Sequence, residues 1–128
     1  MQLRRLERSP RSFGAAGPLT PGEIHTIAAI GCKEGILMGE LAARLGVTKG
    51  AATQMASRLE VKGFVRRAPD PADARATVIS LTQTGLLAYQ AHEELHRRFC
   101  QKISACLSSH ESEIFVDCLD KLCEALEE

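Results

Sequence analysis

The sequence has no tryptophan, one tyrosine and four phenylalanines, so aromatic residues fill only 4% of its 128 positions. A core without large rings must be built from Leu, Ile, Val and Ala, which suits packed helices better than a β-sandwich. The five cysteines are odd in number and include no C-x-x-C pair. That usage argues against a disulfide framework and for a reduced, cytoplasmic protein. No apolar run approaches the roughly 20 residues that a membrane span needs. The charged N-terminus contains no apolar segment of the signal-peptide type. Net charge is missing too, since 16 Lys and Arg balance 16 Asp and Glu. What remains, 45% apolar residues in 128, supports one domain with a modest core.

The neutral total hides a segregation. Residues 1–11 carry a net +3, residues 44–75 a net +4, and residues 110–128 a net −6. A basic working face and an acidic tail can therefore coexist in a neutral chain.

Punctuation divides the chain. Gly14, Gly17, Pro18 and Pro21 interrupt it early, after a short basic helix expected over residues 1–9. Thr20 is placed to cap a helix with Pro21 in its first turn and Glu23 in the capping-box position. Ile24, Ile27, Ala28 and Ile30 supply its apolar positions, and Gly31 ends it. After a brief connection, Leu41, Ala42 and Leu45 form one face of a helix stopped by Gly46. Thr48 caps the next helix, which closes at Gly63. The period then changes to short β-prone stretches, FVRRA and ATVISL, separated by the loop PDPADAR. From Thr82 a long helix is expected to about Leu107. SSHE then offers a break with a cap before a last helix carrying Ile114, Phe115, Leu119, Leu122 and Leu126. The fold class is mainly α with a small β-hairpin wing: a winged helix-turn-helix lobe over 19–81, and a helical dimerisation lobe from 1–18 and 82–128, within one domain.

Two helices joined by LGVT and followed by a hairpin suit DNA reading. Ala42, Leu45, Val47, Ala52, Ala56 and Leu59 can pack the two helices together. The opposite flank of the second helix is then Lys49, Gly50, Thr53, Gln54, Ser57 and Arg58. These are small or hydrogen-bonding groups of the kind that base edges in a major groove require. Gln54 can grip an adenine edge, Thr48, Lys49, Ser57 and Arg58 can hold phosphates, and Gly50 leaves room for close approach. Arg67 adds a cation on the hairpin. At the hairpin tip Arg75 suits the narrow, electronegative minor groove, with Asp73 expected to hold its guanidinium.

The runs LTPGEIHTIAAIG, MGELAARLGVTKGAATQMASRLEVKGFVRR and DPADARATVISLTQTG resemble the MarR family of transcriptional regulators over residues 19–90. The likeness includes the D-x-R wing signature at Asp73 and Arg75 and the L-T-x-x-G junction at Leu81, Thr82 and Gly85. It implies a homodimer, built from N- and C-terminal helices, that binds double-stranded DNA at a pseudo-palindromic site, and so a regulator, most often a repressor. Ala74 stands where many members carry a second Arg, which implies a weaker wing contact. The first helix is shorter than is usual in the family, which implies either a smaller dimer interface or a start placed too late.

The stretch HEELH, His92 to His96, spells a zinc-protease motif. A hydrolase would need Glu93 as general base, a third ligand and a cleft, and the roughly 30 residues that follow supply no scaffold for one. The alternative is a regulatory site. The family's zinc-sensing branch resembles this chain at His25, His92 and His96, with a first-helix Glu falling on Glu7. That resemblance implies one zinc per subunit on three nitrogens and a carboxylate. The branch's second site does not carry over, because Phe13, Ile24 and Ala91 occupy its positions. The family's fatty-acid-biosynthesis repressors resemble the same histidine spacing yet answer to acyl thioesters, so zinc and another small ligand both stay open. A constitutive or redox-sensing regulator is a further alternative. Cys100 lies two helical turns, about 12 Å, from His92, too far to share an ion with both histidines. Cys32, Cys106, Cys118 and Cys123 are expected in small apolar sites.

Overall fold

The computed structural model describes residues 11–12 and 16–127, with side chains over 16–126. The expected basic helix over residues 1–9, and Glu7 with it, lie outside the described residues. Contacts divide the chain into two compact units, residues 1–93 and 94–128.

The first unit opens with β1, Arg11–Ser12, antiparallel to β2, Pro18–Leu19, a short ladder that the sequence did not announce. Helix α1, Pro21–Ile30, follows. Its start is held reciprocally: Glu23 N–H donates to Thr20 Oγ1 at 3.2 Å, and Thr20 N–H donates to Glu23 Oε2 at 3.0 Å. This is the expected capping box, which satisfies two otherwise orphaned donors. Ile24, Ile27 and Ile30 point inward with Thr26. Thr26 tolerates burial because its hydroxyl donates to Gly22 O at 2.7 Å.

Strand β3, Ile36–Leu37, pairs with β5 and leads directly into α2, Met38–Leu45. Sequence pattern showed only a connection here, because two residues are too few to display a period of two. Gly35 makes the pairing possible. It lies at φ 119°, and a Cβ there would stand 2.8 Å from Ile79 O and 2.9 Å from Val78 Cγ1, so any side chain would push the two strands apart. Helix α3, Lys49–Val61, is capped by Thr48, whose Oγ1 accepts from Ala51 N–H at 3.2 Å. Strands β4, Val65–Pro69, and β5, Thr77–Leu81, form the hairpin, and the sheet order is β3-β5-β4, all antiparallel.

The core of this unit joins Ile27 and Ile30 of α1, Leu41 of α2, Ala52, Ala56 and Leu59 of α3, and Ile79 of β5, all at most 1% exposed. Ala52, Ala56 and Leu59 form the inward stripe that their spacing indicated. Val47 does not join it. It is 37% exposed, because the turn after Gly46 carries it away from the packed faces.

Helix α4, Gln83–Cys106, begins on a tight junction. Thr82 Oγ1 donates to Gly63 O at 2.6 Å and accepts from Gly85 N–H, while Thr82 N–H donates to Phe64 O at 3.0 Å. A Cβ on Gly85 would sit 2.0 Å from Phe64 O. The L-T-x-x-G run is thus the sequence trace of a helix start pressed against the turn that follows α3. Gly85, Ala88 and His92 are the buried residues of α4.

The second unit holds the rest of α4 and α5, Ser109–Glu127. Ser108 and Glu111 make another reciprocal cap, at 3.1 and 3.2 Å. Here the apolar side chains face outward: Leu95, Phe99, Ile114, Phe115, Val116, Leu119, Leu122 and Leu126 are all at least 40% exposed. The five cysteines are free and exposed, so Cys32, Cys106, Cys118 and Cys123 do not fill the apolar sites expected of them. Cys32 lies in the loop after α1, and the other three lie on helices whose apolar faces are uncovered among the described residues. Among the described residues, no helix is long and apolar enough to cross a membrane.

Candidate nucleic-acid interface

Helix α3 presents two unlike flanks. Its inner flank is sealed by Ala52, Ala56 and Leu59. On its outer flank Lys49, Gly50, Gln54 and Arg58 are exposed, and Thr53 and Ser57 are half-buried. The hydroxyls of the last two have a fixed sense. Thr53 Oγ1 donates to Lys49 O at 2.8 Å, and Ser57 Oγ donates to Thr53 O at 2.9 Å. Each proton is turned back to the helix, so the oxygen offers its lone pairs outward, which suits amino donors on base edges. Thr48 is exposed at the start of the same flank.

The hairpin tip is organised by two carboxylates that accept backbone donors. Asp70 Oδ1 accepts from Ala72 N–H at 3.1 Å, and Asp73 Oδ1 accepts from Arg75 N–H at 3.0 Å. Asp70 N–H and Ala76 O close the loop at 2.9 Å. Asp73 therefore shapes the turn through the backbone of Arg75 rather than holding its guanidinium, as short Asp side chains do in Asx turns. The Arg75 side chain is exposed beside it.

The cations of residues 44–75 fall into two groups. Arg44 pairs with Glu40 at 2.9 Å and donates to Ala29 O at 2.8 Å. Lys62 pairs with Glu23, and Arg67 pairs with Glu60. Among the described residues Lys49, Arg58, Arg66 and Arg75 are in no ion pair, although Arg66 Nε donates to Ser80 Oγ at 3.2 Å. The positive potential of residues 44–75 is thus concentrated on the outer flank of α3 and on the hairpin. Arg66 was not singled out from sequence. The period of two through FVRR is the signal that would have found it, because it turns Arg66 and Arg67 to opposite faces.

The histidines follow a different pattern. His25 and His96 are exposed and His92 is buried. Among the described residues no group of three or more His, Cys, Asp or Glu side chains is placed to hold a metal ion. Glu7, the carboxylate of the implied set, lies outside the described residues.

A helix pair with one sealed and one cationic, hydrogen-bonding flank, followed by a projecting hairpin, defines a winged helix-turn-helix protein. Residues 19–77 match the MarR family. The transcriptional regulator HosA of Escherichia coli O111:H- is 31% identical over 126 residues, which are 97% of this chain and 93% of HosA. The multiple antibiotic resistance protein MarR of Escherichia coli K12 is 33% identical over 92 residues, or 68% of this chain, and the match spans only 64% of that relative's length. Streptococcus pneumoniae FabT, solved in complex with DNA, matches with a TM-score of 0.79 and 29% identity, over 85% of this chain and 76% of that one. A mutant of Escherichia coli MarR, solved with operator DNA, matches with a TM-score of 0.66 and 30% identity, over 81% and 75%. The chain belongs to the MarR family of winged helix-turn-helix transcriptional regulators. HEELH is a stretch of α4 in a chain of this family of DNA-binding transcription regulators.

Proposed function

We propose that this chain acts as a homodimeric transcriptional repressor that binds a pseudo-palindromic site in double-stranded DNA. The observation that carries the reading is the division of α3 into a sealed flank and an outward flank of Lys49, Gly50, Thr53, Gln54, Ser57 and Arg58. In this reading α3 lies in the major groove. Gln54 and the hydroxyl lone pairs of Thr53 and Ser57 meet base edges, while Lys49 and Arg58 meet phosphates. Arg75 enters the adjoining minor groove from the hairpin tip. The exposed apolar residues of α5 support pairing with a second copy, because solvent-facing stripes of this size mark interaction surfaces. A two-fold dimer would place its two α3 helices on half-sites about 34–36 Å apart.

The test is a gel shift with a pool of random duplexes, followed by selection. Wild type should enrich an inverted repeat, and Arg75→Ala should bind it at least about tenfold more weakly. Unchanged affinity would remove the wing from the interface, and no enrichment would remove sequence-specific binding altogether. Control by zinc or another small ligand belongs to the same proposal, supported by the spacing of His25, His92 and His96. Zinc content of protein purified without an affinity tag, with gel shifts in zinc and in chelator, tests it. Metal-free protein with unaltered shifts would leave a constitutive or redox-responsive regulator.

A further inference from the structure

We propose that Glu60 is a positioning residue that braces the hairpin against the recognition helix, and that its partner Arg67 serves as this brace and not as a phosphate contact. The inference rests on the DNA-binding reading above and concerns which cations do the reading.

Strand register separates two adjacent arginines. In the β4–β5 ladder Val65 lies opposite Leu81, Arg66 opposite Ser80, and Arg67 opposite Ile79. Val65, Ile79 and Leu81 are buried. Because strand side chains alternate, Arg67 shares the inward face of the hairpin with them, and Arg66 shares the outer face with Ser80. Arg67 lies where that inward face meets α3, and Glu60, the neighbour of buried Leu59, meets it there. Arg67 Nε donates to Glu60 Oε2 at 3.1 Å and Nη2 donates to Oε1 at 3.0 Å. Two parallel bonds between planar groups fix direction as well as distance, which a single contact does not. Hydrogen bonding from Arg67 holds the Glu60 carboxyl below the usual carboxylate range, and Glu60 raises the Arg67 guanidinium in turn.

The consequence is geometric. Helix α3 and the hairpin tip must address the same duplex at the same time, and one angle between them lets both seat. A guanidinium locked onto Glu60 has its Nε–Nη2 edge occupied and its charge paired, while Arg66 and Arg75 are in no ion pair among the described residues. Losing the brace should therefore weaken discrimination between sequences rather than remove a phosphate contact.

The experiment uses the full chain and two duplexes, one selected by wild type from a random pool and one scrambled version of it. Affinities are read by fluorescence anisotropy across a salt series. For Glu60→Gln and Arg67→Met, the ratio of selected to scrambled affinity should fall about tenfold, comparable to mismatching one specific base pair. The double variant should lie within about twofold of either single one, because both changes break one interaction. Arg67→Lys keeps the charge but loses the planar fork, and should lose discrimination as Arg67→Met does. The slope of log affinity against log salt should match wild type in all of them. A slope reduced by about 0.9 in Arg67→Met and restored in Arg67→Lys would make Arg67 a phosphate contact and overturn the brace. Additive losses in the double variant would overturn it as well. Thermal melts separate these outcomes from unfolding, and a change confined to melting temperature with discrimination intact also counts against the proposal. If wild type itself binds neither duplex, the DNA-binding reading falls and the brace falls with it.

Discussion

The two units of this chain spend their apolar residues in opposite ways. In residues 1–93 most of the branched side chains of α1, α2, α3 and β5 are withdrawn from water, with Val61 the exposed exception, and Ile27, Leu41 and Ile79 have no exposure at all. In residues 94–128 the equivalent residues face solvent, with Phe99 at 62%, Leu122 at 54% and Leu126 at 76%. Both units have well-formed helices with side-chain caps, so the difference does not lie in local structure. It lies in whether the hydrophobic effect is completed within the unit: for the first unit it is, and for the second, among the described residues, it is not.

The comparison can be broken by matched substitutions. Leu41→Ala in the first unit should lower the unfolding free energy by about 2–5 kcal/mol, at every protein concentration, in urea titrations. Gly85→Ala should cost about 3 kcal/mol, since its new methyl would meet the Phe64 carbonyl rather than a movable side chain. Leu119→Glu in the second unit should leave the first unit's core intact and weaken self-association at least about thirtyfold, measured by sedimentation. Equal and concentration-independent losses for Leu41→Ala and Leu119→Glu would erase the distinction between the units. At the caps, Thr48→Ala should cost about 1 kcal/mol, read from the same titrations.

The smallest effect sharpens the picture at the start of α1. Burial works against the charge on Glu23, but hydrogen bonds from Lys62 and Thr20 and the Lys62 charge outweigh it, so its carboxyl sits below the ordinary value of 4.5. A depressed native pKa contributes stability above the unfolded pKa and loses it as pH falls through the native one. With Lys62 49% exposed, solvent screening limits the pair to about 0.5 kcal/mol. Glu23→Gln should therefore be less stable than wild type at pH 7, with the difference shrinking as pH falls below 4.5. A difference that grows in acid would contradict the assignment.

Local chemistry made most of the first unit legible. Thr20 with Glu23, Thr48, the Gly46 stop and the stripe of Ala52, Ala56 and Leu59 each follow from rules that operate within a turn or two of helix. What escaped is non-local. Strand β3 is two residues long and exists because β5 passes beside Gly35. The partner of Arg67 is seven residues away, across an intervening turn, and Asp73 bonds a backbone donor that no side-chain inventory brings to notice. The cysteines were misjudged for a related reason. Their small apolar character is real, but burial depends on what covers the helix, and among the described residues nothing covers α4 and α5 at Cys100, Cys106, Cys118 and Cys123.

The seat of Gly85 on Phe64 O has a mechanical corollary. The first turn of α4 has no slack where it meets the turn leaving α3, and Thr82 locks that meeting with hydrogen bonds to Gly63 and Phe64. The root of the long helix and the end of α3 therefore behave as a keyed joint. Torque applied to one would reach the other without backlash.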